Sequence, residues 1–259
     1  MKEFSDLKQI EQEEILTLLK RDAAKHALVL QNLRAFPAAS KLFFFRNGAA
    51  LTYLHISGHP AHAQCTTLVL HGEHAQVEAL LREIRPSAPF TVRESPASVE
   101  PAVKAYFPGA KCRQEYRMDV SRSTFRPQHL GKARQLEMKD LPALCAFVGA
   151  PPQAAPRFEG WLRGAKVFFG IEEKGELRAI GSSMVCLPEI FNVVSIETHK
   201  DHRGKGHGTE LTSALVAKCL EHTNDVCLTV FADNEPALKL YRNLGFQIAE
   251  DRTWIDCGK

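Results

Sequence analysis

The sequence has no Cys-x-x-Cys pair. Its seven cysteines are scattered and odd in number, which argues against a disulfide framework and for reduced thiols, as in a cytoplasm. No apolar run is long enough to span a bilayer. Met1 to Lys20 is charged throughout and lacks the apolar core of a signal peptide. These absences point to a cytoplasmic protein with no membrane partner. Excess charge is also missing. Lys+Arg 33 against Asp+Glu 30 leave a formal net charge of +3, too little by itself to argue for nucleic acid. Neither a Gly-x4-Gly-Lys-Ser/Thr loop nor a dinucleotide Gly-x-Gly-x-x-Gly fingerprint occurs. There is no low-complexity tract. What remains is an ordinary globular composition, 44% hydrophobic and 24% charged, in 259 residues. That length supports one or two domains with a sizeable core.

One stretch organises the rest. Phe191 to Ile196 is apolar and β-branched, Glu210 to Glu221 is helical in pattern, and between them lies Thr198-His199-Lys200-Asp201-His202-Arg203-Gly204-Lys205-Gly206-His207-Gly208-Thr209. This reads as strand, glycine-rich turn, helix. Glycines at alternate positions let backbone approach a ligand without Cβ interference. A helix start adds free N–H groups and the positive end of a dipole, a combination that binds phosphate. Arg203 and Lys205 add cationic side chains.

A second segment follows. Val226 to Phe231 is continuously apolar, as in a strand buried on both faces. Asn234 then suits an N-cap, Pro236 a first turn and Gly245 a helix stop. Arg203-x-x-Gly206-x-Gly208, followed by Asn234-x-x-Ala237-x-x-x-Tyr241-x-x-x-Gly245-Phe246, resembles the GNAT superfamily of acyl-CoA-dependent N-acyltransferases. The motifs cover roughly residues 191–246; the order of elements extends the likeness over the C-terminal half.

The resemblance implies an α/β (α+β) fold with a mixed central sheet flanked by helices. It also implies acetyl-CoA as cosubstrate, no metal, and an amine acceptor, either a small molecule or amino-acid-like. Ile196, Glu197 and Thr198 would pair with the pantetheine arm. Arg203, Gly204, Lys205, Gly206, His207, Gly208 and Thr209 would hold the pyrophosphate, and Asn234 would touch the pantetheine. Tyr241 would protonate the leaving thiolate. The general base is less defined. Family members often carry a glutamate where this chain has Asn192, which leaves Glu197 and Glu189 as candidates. An acyl-CoA-binding sensor without catalysis is the competing reading.

The N-terminal half repeats the order of helices, strand meander and strand–helix–strand. After the strand ending at Leu70 it reads His71-Gly72-Glu73-His74-Ala75-Gln76, with no glycine-rich cradle. In this it is similar in architecture to glycine N-acyltransferase-like proteins, which pair a degenerate half with an active one. The expected division is a degenerate GNAT-like domain over 1–120, a linker over 121–131 and a catalytic GNAT domain over 132–259, with a homodimer compatible.

Two other patterns compete for the loop. His199, His202 and His207 suggest zinc, but no cysteine lies near and the spacing fits no common site. The basic run from Lys200 to His207 suggests nucleic acid, but it lacks interleaved aromatics. A phosphate-bearing cofactor explains the loop more simply.

Overall fold

The computed structural model describes the chain except residues 36, 48, 49, 58–65, 129, 130, 166 and 259. The chain forms two compact units. One comprises Met1–Arg117, Thr229–Asp233 and Ala249–Lys259; the other comprises Met118–Leu228 and Asn234–Ile248. Residues 229–233 and 249–259 therefore return to the first unit from the second half of the sequence.

The first unit begins with β1 (Lys2–Glu3), α1 (Gln9–Lys20) and α2 (Ala27–Ala35). It continues through β2 (Ser40–Asn47), β3 (Ala50–Ser57), β4 (Thr66–His71), α3 (His74–Ile84), β5 (Phe90–Pro96) and α4 (Glu100–Tyr106). β6 (Lys111–Ser121) leads into the second unit, where β7 (Ala133–Gln135), α5 (Leu141–Phe147), α6 (Ala155–Gly160), β8 (Phe168–Glu173), β9 (Glu176–Cys186) and β10 (Phe191–Thr198) follow. Then come α7 (His207–Leu220), β11 (Asp225–Phe231), α8 (Glu235–Asn243) and β12 (Gln247–Cys257).

Both units use one strand plan. In the first, β2, β3 and β4 pair antiparallel in sequence, and β4 then pairs parallel with β5 across α3. In the second, β8, β9 and β10 pair antiparallel, and β10 pairs parallel with β11 across α7. A parallel pair needs such a crossover. The expected mixed strand pairing flanked by helices is thus present within each unit.

Alternation sets the cores. Leu54, Leu68, Leu70, Phe90 and Val92 bury against Val77, Leu80 and Leu81 of α3 in the first unit. Phe44 is 2% exposed, while Phe43 and Phe45 pack partly buried against that cluster. The sequence Asn47-Gly48, a hairpin signal between β2 and β3, reaches outside the described residues at Gly48; Asn47 pairs with Ala50. In the second unit the hairpin at Lys174-Gly175 has φ of 55° and 78°, the left-handed pair that a tight β8–β9 turn requires.

β12 is one strand of 11 residues that runs through the charged Asp251-Arg252 step. Arg252 is 2% exposed, donates to Glu94 and bonds Glu250 at 3.0 Å. Its charge is neutralised in place, so the strand runs through it. A cavity of about 250 Å³ lies in the same unit, lined by Leu19, His26, Thr52, His71, Glu73 and Gln76 among others. Beside it His26 Nδ1 lies 2.9 Å from Tyr53 Oη.

Candidate active site

β10 is buried from Phe191 to Val193 and pairs there with Val226 to Leu228 of β11. The register ends at Val193–Leu228. From Val194 to Thr198 one edge of β10 has no ladder partner among the described residues. Its other edge stays with β9, through a shift: Val194 faces Ser182 and Glu197 faces Ile180. One additional residue is therefore held on β10. Ser195 sits in the bulge at φ 55°, a left-handed conformation that serine adopts only under local constraint. A bulge beside an unpaired edge presents backbone groups that the sheet does not use.

The strand ends in a turn over Lys200–His202, closed by His202 N–H donating to the carbonyl of His199 at 2.8 Å. The glycine loop follows. Gly204 and Gly206 have φ of 75° and 81°, and a Cβ on Gly204 would meet nothing within 4 Å. Gly206 is the N-cap of α7 and supplies no side-chain cap, so the first-turn N–H groups are left for an external acceptor. Arg203, Gly204, Lys205 and Gly206 are exposed, while His207 is 2% exposed. Arg203 Nε donates to the carbonyl of Thr198 at 3.3 Å. Gly208 has a packing role: a Cβ there would lie 3.2 Å from Leu240 Cδ1 and 3.8 Å from Thr198 Oγ1. It lets the start of α7 approach both α8 and the end of β10. Thr209 is half-buried in that first turn.

Alternation on β10 sorts the remaining residues. Ile196 and Thr198 are half-buried toward α7: a Cβ on Gly181 would lie 2.6 Å from Ile196 Cδ1, among Leu211 and Leu215. Glu197 points the other way and is exposed; Glu189 is half-buried. Asn192 is 1% exposed with its Oδ1 unsatisfied. Asn234 accepts through Oδ1 from Ala237 N–H at 3.3 Å and caps α8, which leaves its amide N–H groups outside the cap. Tyr241 lies on α8, 8% exposed, against Phe246. Burial pushes its phenol up to about 12, which keeps it protonated at neutral pH.

Two braces were not visible in sequence. Glu210, 2% exposed, accepts from the backbone N–H groups of Lys132 and Ala133 and fixes the start of β7 to α7. Arg134 forms a fork to Asp140, at 2.8 Å on both oxygens, and reaches Glu172 at 2.8 Å. Asp140, at the N-cap position of α5, makes no side-chain cap bond there. Its carboxylate is taken up by Arg134, which holds it below the usual carboxylate range, and by Glu137 N–H.

Residues 169–255 match the family described as FR47-like protein. A mycothiol acetyltransferase of Corynebacterium aurimucosum is 42% identical over 65 residues, 25% of this chain and 21% of that protein. Over these residues the chain is similar to GNAT-superfamily acetyltransferases. Its matched region spans about a fifth of that curated relative. Solved structures extend the likeness in fold to both units. A Drosophila protein aligns over 96% of both chains with a TM-score of 0.73 and 16% identity. A GCN5-related N-acetyltransferase-like protein of Streptococcus suis aligns over 96% of this chain and 99% of its own, with a TM-score of 0.63 and 14% identity. A tandem GNAT protein from the clavulanic acid biosynthesis pathway covers 96% of both chains with a TM-score of 0.56 and 16% identity. The glycine loop, the bulged strand and Tyr241 all belong to one compact unit.

Proposed function

We propose that this protein transfers an acetyl group from acetyl-CoA to an amine acceptor by direct attack within a ternary complex. The observation that carries the reading is the junction of β10 and α7. A strand with an unpaired edge and a bulge at Ser195 runs into a glycine loop at the uncapped start of a 14-residue helix.

The residues present fit the cosubstrate. Gly204 and Gly206 leave the loop open to a diphosphate, the first turn of α7 offers N–H donors, and Arg203 and Lys205 offer cations. The free edge from Val194 to Thr198 offers backbone groups to an amide-bearing arm, as an added strand would. Acetyl-CoA supplies an activated thioester when bound. The rest falls to this chain's side chains and backbone. Backbone N–H groups around the Ser195 bulge polarise a carbonyl oxygen laid against that edge. Tyr241, a phenol that burial pushes up to about 12, donates its proton to a departing thiolate.

Glu197 and Glu189 remain the candidate bases for the acceptor amine, Glu197 on the exposed face of β10. The buried Asn192, in place of a carboxylate, favours the second reading of an acyl-CoA sensor. Thiol release from acetyl-CoA, followed with a panel of small amines and amino acids, separates the two. Amine-dependent release supports transfer; saturable binding with no release for any amine supports the sensor.

A further inference from the structure

Glu173 ends β8 just before the Lys174-Gly175 turn, His202 ends the short turn after β10, and His207 is the first residue of α7. Because α7 packs across β8 and β9, these three residues meet although 34 positions separate the first from the last. One ligating atom from each falls within 4.8 Å of the other two. His202 Nδ1 lies 3.4 Å from Glu173 Oε2, and His207 Nε2 lies 3.4 Å from Glu173 Oε1. Both nitrogens are buried atoms without a hydrogen-bond partner. His207 as a whole is 2% exposed, so its unpartnered nitrogen is aimed inward at the carboxylate.

A separation of 3.4 Å is long for an N–H···O hydrogen bond, which runs about 2.7–3.2 Å. It matches the spacing of two ligands on one tetrahedral cation. Donors about 2.0–2.1 Å from zinc sit about 3.3–3.4 Å apart. The donor set of two imidazoles and one carboxylate suits a borderline cation and leaves one position open. We propose that Glu173, His202 and His207 form a binding site for a divalent transition cation of the zinc class.

Lys132 Nζ, 3.9 Å from Glu173 Oε1, is the carboxylate's present counter-charge. Its side chain is 53% exposed and free to swing away. In sequence the loop histidines have no cysteine nearby and fit no common zinc spacing. The third ligand comes from β8. His199 stays outside the triad: its Nδ1 lies 3.6 Å from Asp201. A cation held here would join the end of β8 to the first residue of α7 and the turn before the glycine loop.

The test is direct and independent of acyl-CoA binding. The full chain, purified without a histidine tag and treated with chelator, is titrated with Co(II) and, by equilibrium dialysis, with Zn(II). One cation per chain is expected, with the visible absorption of four-coordinate Co(II). Glu173→Gln and His202→Asn should each weaken Zn(II) affinity at least tenfold, the lower end of what loss of even a supporting partner costs. His199→Asn, in the same loop, should leave it unchanged. Circular dichroism identifies any variant that fails to fold, and Glu173→Gln, at a half-exposed carboxylate, keeps the test open if His202→Asn does. Substoichiometric binding, or affinity unmoved by Glu173→Gln in a folded chain, would overturn the proposal.

Discussion

Arg203 donates through Nε to the carbonyl oxygen of Thr198 at 3.3 Å. The bond ties the first cation of the glycine loop to the last residue of β10. A guanidinium has five N–H donors, so this anchor leaves four for an anion. Replacing Arg203 with alanine removes both anchor and charge. The Kd for acetyl-CoA should rise about tenfold, in line with loss of one charge-assisted contact of about 1.5 kcal/mol. Arg203→Lys should recover only part of it, since an ammonium lacks the fork. Calorimetric titration of the two variants measures both.

Tyr241→Phe should lower kcat about 10²-fold while acetyl-CoA affinity stays within twofold, because general-acid catalysis is worth roughly that factor. The phenol is pushed up to about 12 by burial, so the wild-type rate should show no loss of this proton below about pH 11. An unchanged kcat in the variant would make Tyr241 a packing residue beside Phe246.

Gly245 stops α8 at φ 95°, and a Cβ there would lie 2.1 Å from the backbone oxygen of Thr124. That oxygen belongs to a stretch held to the same unit by Arg126 N–H donating to Leu244 at 2.9 Å. Neither side has a flexible end to give way. Gly245→Ala should therefore destabilise the protein by about 2–4 kcal/mol, adding backbone strain to overlap. Chemical denaturation reads this as a lower midpoint.

Much of this unit was legible from residue chemistry. The expected strand Phe191 to Thr198 is β10, and the Asn234 cap and Gly245 stop lie where their side chains, or lack of one, require. The bulge at Ser195 was not legible, because nothing local to serine demands φ 55°; the β9 register imposes it. The meeting of Glu173 with His202 and His207 was hidden for a related reason. It depends on how α7 crosses the sheet, which no loop spacing encodes. The pairing of Arg252 with Glu94 and Glu250 inside β12 likewise depends on tertiary placement.

Acid should weaken the first unit. His26, His55 and His71 are buried, and burial lowers them to about 3, about 4 and about 4. Each is neutral in the fold but titrates near 6.5 when unfolded. Between pH ~4 and ~6.5 the unfolded chain thus binds more protons, and stability falls as pH falls. Glu115 acts in the opposite sense. Burial, then Glu94, raises it to about 7, so its contribution is present at low pH and lost as pH rises through about 7. Three histidines outweigh one glutamate, and Tm should drop between pH 7 and pH 5. His55→Leu keeps the site apolar and removes one titration, so the drop should shrink. A Tm that holds or rises at pH 5 would contradict this.

The most direct measurement is calorimetric titration of the full chain with acetyl-CoA, beside the same titration of Gly206→Asp. Gly206 caps α7 without a side chain, and an aspartate there would place a carboxylate against the first-turn N–H groups. Saturable binding of one acetyl-CoA per chain, weakened at least 100-fold in Gly206→Asp, is the predicted result. No binding by the wild type, or equal binding by the variant, would contradict the assignment of the glycine loop as the diphosphate cradle.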